Sequence, residues 1–262
     1  MGASGPAGAV GQRQHLQSLW LPVLGRQTLA RVAVNRINRA LPIVLVRGLG
    51  VSSRYMTPLA EALAPFHSVY APDLPGFGHS ARPDKALSVG ELAAALAAWL
   101  AAAGLPAVVL VGNSMGCQVI VEFARQWSDR VVKAVLISPT MDAQARTAIR
   151  QCWRLFRAGS REPVSEWIIT FGDYMRSGLR RNWQTLQHAL RDPIGAKLPN
   201  MVAPTLVVRG DRDPIVSQAW AEEVARRLPN GRLVVMPGGP HAMNYSRPDE
   251  LARLIVAFLA ER

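Results

Sequence analysis

The feature that most constrains this chain is an alternation. Short runs of Val, Ile and Leu, namely PIVLVR (42–47), SVYAPD (68–73), AVVLVG (107–112), KAVLIS (133–138), TLVVRG (205–210) and RLVVMP (232–237), are separated by longer stretches of helical pattern. A strand that is apolar at every position must be covered on both faces, and a helix between successive strands supplies that cover. Helices are expected near 55–64, 89–103, 115–127, 217–228 and 248–261. The expected fold class is therefore α/β, a mostly parallel sheet with helices on both faces. At 262 residues, 49% of them hydrophobic, the chain can bury one such core without metal or disulfide support.

The alternation breaks once. From about 141 to 198 the pattern is helical and basic, holds Trp153, Phe156, Trp167, Phe171, Tyr174 and Trp183, and offers no good strand. This stretch reads as an inserted helical cap over the strand ends, dividing the core into 1–140 and 199–262, with residues 1–20 loosely ordered.

The net charge of +12 is unevenly spread: residues 1–60 carry seven arginines and no acid, and 143–198 carry ten basic and four acidic residues. No zinc-finger spacing, RNP-type aromatic motif or convincing helix-turn-helix accompanies that charge, so a solvated basic face is expected and nucleic acid is not an expected partner. The longest apolar candidate, LAAALAAWLAAAGL at 92–105, falls short of the roughly 20 residues of a membrane helix and stops at Gly104 and Pro106, so no stable membrane insertion is expected. The start, MGASGPAGAVGQRQHLQ, lacks the pattern of a signal peptide, which makes the cytoplasm the default expectation. Cys117 and Cys152 form no framework and read as reduced structural thiols.

The third apolar run feeds directly into a helix through GNSMG, at 112–116. A tight strand-to-helix turn holds its central side chain in a strained, exposed position, and the flanking Gly112 and Gly116 make room where a Cβ would meet backbone. Ser114 is thus presented at a strand's carboxyl end, where ligands of open parallel sheets bind. A serine hydroxyl is a weak nucleophile at neutral pH and needs a base and a group to orient it. Of the five histidines, His15 lies in the loose start, His188 in the insertion, and His67 before a strand at the wrong end of the sheet. His79 and His241 remain, and His241, after the last strand in MPGGPHAMNYSRPDE, is the better placed. For the acid, GDRDPIV offers Asp211 and Asp213.

These pieces, VRGLG at 46–50, APDLPGFGHS at 71–80, GNSMG, PTLVVRGDRDPIV at 204–216 and GGPHAMNYSRPDEL at 238–251, together resemble the α/β-hydrolase superfamily from about residue 40 to the end. The resemblance implies a serine hydrolase with the triad Ser114, Asp213 and His241, the aspartate before the proline being the acid, and makes His79 a turn residue. It also implies an oxyanion hole from the backbone N–H groups of Leu49 and Met115. It implies cleavage of a carboxylic ester or related acyl compound through an acyl-enzyme, with no metal or other cofactor. The expected partner is a small acyl substrate, apolar or anionic. Asn113, Trp153, Phe156 and Trp167 are the further candidates for substrate contact. Arg47 departs from the pattern, since the family commonly has His-Gly where this chain has Arg47-Gly48; it is either a strut for the loop or a holder of a substrate anion.

Other readings compete. Gly48 and Gly50 with Asp73 imitate a dinucleotide fingerprint, but Ser53 takes the third glycine's place and such a protein has no need of GNSMG. Proteins of this fold also include lyases, cyclases, acyltransferases, carbon-carbon hydrolases and non-catalytic small-molecule receptors.

Overall fold

The computed structural model describes residues 15–35, 40–140 and 162–261. Trp153, Phe156, Cys152 and the first part of the expected cap, 141–161, lie outside the described residues.

The sheet has eight strands: β1 (Gln17–Val23), β2 (Arg26–Ala33), β3 (Ile43–Val46), β4 (Val69–Pro72), β5 (Val108–Asn113), β6 (Val131–Ile137), β7 (Thr205–Gly210) and β8 (Gly231–Met236). Their order is β1-β2-β4-β3-β5-β6-β7-β8. The pairs from β4 and β3 through to β8 are parallel, whereas β1, β2 and β4 pair antiparallel. The fold is the α/β class expected.

The hairpin β1-β2 is an addition to the sequence reading, and residues 17–20, expected to be loosely ordered, are the first half of β1. Its turn is Leu24-Gly25, with φ of 49° and 73°. Both central residues thus have the positive φ that suits a two-residue hairpin, and glycine supplies one of them without strain. As an edge strand β1 can carry Pro22, which a central strand could not.

Apolar strands are explained by their two faces. Along β5, Val108 and Leu110 enter one core cluster and Val109 and Val111 the other. The first cluster is closed by helices α1 (Val89–Ala102) and α2 (Met115–Gln126), with Trp99 and Phe123 fully buried. The second is closed by the turn of helix Thr57–Leu63 and by the last helix, Pro248–Ala260, through Leu59, Leu63, Leu251 and Ile255. Helix α1 starts on a reciprocal cap, in which Glu91 Oε2 accepts from the Ser88 N–H at 2.7 Å and Ser88 Oγ accepts from the Glu91 N–H at 3.3 Å.

Between β6 and β7 the described residues form helices α3 (Val164–Ser177) and α4 (Leu179–Arg191) and no strand. Helix α3 docks on the loop after β3. Asp173 Oδ2 accepts from the Ser52 N–H at 2.7 Å, and the Tyr174 ring lies so close to Gly50 (φ 78°) that a Cβ there would sit 2.6 Å from it. Among the described residues no helix is long and apolar enough to cross a membrane.

Candidate active site

Strand β5 ends at Asn113 and α2 begins at Met115, so Ser114 occupies the join with φ 57° and ψ −121°. A non-glycine residue there is strained, at a cost of order 1–3 kcal/mol, and stays only because its surroundings fix it. The Ser114 N–H donates to the Ile137 carbonyl at 2.9 Å, which anchors the turn to β6. The flanking glycines are required by contact rather than by φ. A Cβ on Gly116 would lie 2.3 Å from the Val46 carbonyl oxygen, and one on Gly112 would lie 2.9 Å from the Gly116 carbonyl carbon. Cys117, buried behind the turn, directs its thiol at the Gly112 and Ile137 carbonyls, and burial raises its pKa far above the ordinary thiol range.

His241 and Asp213 meet across two loops. His241 Nδ1 lies 2.9 Å from Asp213 Oδ2, and Asp213 Oδ1 accepts from the Ile215 and Val216 N–H groups at 2.7 and 3.1 Å. Burial acts to raise the Asp213 carboxyl, but the His241 charge and these hydrogen bonds outweigh it and hold the carboxyl below its ordinary value. For His241 burial acts to lower the imidazole, and the attraction of Asp213, with Glu162 and Glu166 adding to it, outweighs burial and raises it. Asp211 is exposed and takes no part in this contact.

Ser114 and His241 line one cavity of about 360 Å3, a size suited to a small ligand. Leu49, Met115, Asn113 and Trp167 line it too. Met115 is the first residue of α2, where a backbone N–H has no acceptor within the helix. Asn113 is 1% exposed and largely engaged: its Oδ1 accepts from the Tyr55 hydroxyl at 3.1 Å and its Nδ2 donates to the His241 carbonyl at 3.2 Å, bracing the histidine loop.

Arg47 is not among the residues lining the cavity. It is 2% exposed, its guanidinium stands 3.7 Å over the Phe77 ring, and its Nη1 donates to the Gly48 carbonyl at 2.7 Å. Burial lowers its pKa to about 10, with Asp73 and Asp173 acting in opposition. The geometry is that of a strut behind the loop carrying Leu49. His79 belongs to a turn, its N–H donating to Asp73 Oδ2 at 3.0 Å, and His67 directs Nδ1 at the Leu41 carbonyl, 3.0 Å away.

The sequence reading missed Tyr55, Thr140, Glu162 and Glu166, all of which line the cavity. Only the two acids carried a signal, since Glu162 and Glu166 interrupt an otherwise basic stretch at the start of α3. Among the described residues no group of three His, Cys, Asp or Glu side chains could hold a metal ion.

Comparison with known proteins places this geometry in its class. The sequence profile described as the Alpha/beta hydrolase family matches residues 43–254, and the chain belongs to that family. It is an α/β-hydrolase enzyme, with hydrolases among its relatives. It is 27% identical over 253 residues to a pimeloyl-acyl-carrier-protein methyl ester esterase of Xanthomonas campestris, covering 87% of this chain and 98% of that one. It is 27% identical over 256 residues to the esterase YbfF of Escherichia coli, covering 88% and 97%. Its fold matches the enol-lactonase of Burkholderia xenovorans with a TM-score of 0.79 at 22% identity, over 93% of this chain and all of that one.

Proposed function

We propose that this protein is a serine esterase that hydrolyses a small carboxylic ester or related acyl compound through an acyl-enzyme. The observation that carries the reading is the strained Ser114 turn facing the same cavity as a His241 whose far nitrogen is held by a buried Asp213. In this mechanism His241 Nε2 accepts the Ser114 proton as the hydroxyl oxygen attacks the ester carbonyl, while Asp213 fixes the proton on Nδ1 and stabilises the imidazolium. The N–H groups of Leu49 and Met115 receive the developing oxyanion. The imidazolium then protonates the departing alcohol. Water, deprotonated by the same histidine, attacks the acyl carbonyl, and the acid leaves with Ser114 restored. Residues 141–198 act as the cap, and Trp167 with its neighbours sets the choice of substrate. The esterase relatives support acyl chemistry of this kind.

The test is pre-steady-state release of p-nitrophenol from p-nitrophenyl esters of graded chain length. A burst stoichiometric with enzyme is expected, and Ser114→Ala should abolish it and lower turnover by roughly 10,000-fold or more. A variant that keeps over a tenth of wild-type turnover refutes the nucleophile. A lyase or a receptor would give no burst in the wild type.

A further inference from the structure

The cavity that holds Ser114 and His241 is apolar over most of its wall, yet two carboxylates face it. Glu162 stands just before α3, and its Oε1 accepts from the Ala242 N–H at 2.7 Å, immediately beside His241. Its Oε2 is buried and has no hydrogen-bond partner. Glu166, one turn further on, is 8% exposed, with Oε1 accepting from the Thr170 hydroxyl at 2.7 Å. Thr140, 5% exposed and on the wall of the same cavity, likewise has a buried Oγ1 with no partner. Buried acceptors left unpaired are costly, so the cavity is built for something that brings hydrogen-bond donors or positive charge.

We propose that Glu162 and Glu166, with the aromatic rings beside them, form a subsite for a cationic group, an ammonium centre, carried on the alcohol part of the ester substrate. The proposal rests on the esterase reading above and narrows its substrate class. Tyr55, Trp167, Phe171 and Tyr174 line the same cavity, and the faces of such rings attract a cation. Among the described lining residues there is no Lys or Arg, Arg47 stands behind the loop, and the positive charge that the two acids meet in the cavity is that of a protonated His241, the group the reaction needs neutral. Burial raises the Glu162 carboxyl to about 7, against the Ala242 N–H bond and the His241 charge and with the repulsion of Glu166 adding to it; burial also raises Glu166, against the Thr170 bond and the His241 charge. An incoming cation offsets both the lost hydration and the repulsion. An acid in the first turn of α3 also suits the helix dipole, but that role is served equally by an exposed side chain and leaves the burial of Glu166 unexplained.

The test compares two butyrate esters of one shape, the 2-(trimethylammonio)ethyl ester and the 3,3-dimethylbutyl ester, in which carbon replaces the charged nitrogen. The ratio of kcat/KM, cationic over neutral, should exceed about 10 in the wild type, the scale of a desolvated cation-aromatic and carboxylate contact. It should fall by about tenfold in Glu162→Gln and in Glu166→Gln, whose amide oxygens can still accept from Ala242 and Thr170. Calorimetric binding of benzyltrimethylammonium to Ser114→Ala should weaken by a similar factor when either glutamine is added. A wild-type ratio near one, or a ratio unmoved by both variants, overturns the subsite. If the neutral ester turns over with no cation preference and no benzyltrimethylammonium binding, the subsite fails while the esterase reading stands. If benzyltrimethylammonium binds in a Glu162- and Glu166-dependent way but neither ester is cleaved, the subsite stands and the esterase reading fails.

Discussion

Asp213→Asn separates two aspartates that lie two residues apart, and the structure fixes what the amide must do. Asp213 Oδ1 is held by the Ile215 and Val216 N–H groups at 2.7 and 3.1 Å, and Oδ2 faces His241 Nδ1 at 2.9 Å. In the variant the amide oxygen stays on the two backbone donors, because the flipped amide would leave both buried N–H groups unpaired at about 1–3 kcal/mol each. The amide nitrogen therefore faces Nδ1 and donates to it. That places the imidazole proton on Nε2, where the ring can no longer take the Ser114 proton. In triads of this kind the wrong tautomer costs about 10,000-fold in turnover, or about 5.4 kcal/mol at 1.36 kcal/mol per tenfold. Asp211 is exposed, so Asp211→Asn should stay within about threefold of wild type. The assay is kcat on p-nitrophenyl butyrate beside a thermal melt showing that both variants are folded. Retention of more than a tenth of turnover by a folded Asp213→Asn, or a larger loss in Asp211→Asn, refutes the assignment of the acid and the tautomer argument with it.

Gly116→Ala should lower both the melting temperature and activity, because its Cβ would meet the Val46 and Arg47 carbonyl oxygens at 2.3 and 2.7 Å and must displace the loop that carries Leu49; unchanged values of both would contradict the contact. The acid limb of kcat/KM should lie above pH 6.5, since the proposed base, His241, would act only when neutral and its charged form is favoured, burial notwithstanding, by Asp213 and then by Glu162 and Glu166. Glu162→Gln should move that limb toward lower pH, and a limb at or below 6.5 that the variant leaves in place would refute the coupling. Arg47→Met should change the kcat/KM of matched neutral and anionic esters by one common factor, through loss of the bond to the Gly48 carbonyl; a loss confined to the anionic ester would place the guanidinium in the cavity.

The parallel sheet was legible because strands covered on both faces are apolar along most of their length, and the stretches 43–46, 107–112 and 206–208 have no polar side to confuse the pattern. The β1-β2 hairpin was not, because an edge strand is half solvated. QSLWLPV carries polar residues and a proline, and the turn is Leu24-Gly25 rather than the more telling Asn-Gly. Ser114 was legible from its two glycines, whose necessity the contacts of Gly112 and Gly116 now explain. Arg47 was legible only as a departure from a pattern, because a positive charge in a sequence does not say which side of a loop it faces.

Local geometry, then, was determined by the sequence: where strands turn into helices, which serine stands at the turn, and that His241 follows the last strand. Pairing was decided by the tertiary structure. Asp213 and His241 come from separate loops, and nothing short of the parallel packing of β7 against β8 sets them 2.9 Å apart. The same holds for Glu162 and Glu166. In the sequence they are two acids in a basic stretch; in the fold, α3 docks on the loop after β3, and both face the cavity beside His241. Hydrophobic periodicity is a property of neighbours along the chain, whereas burial of a charge depends on what distant segments bring against it, and only the folded chain contains that information.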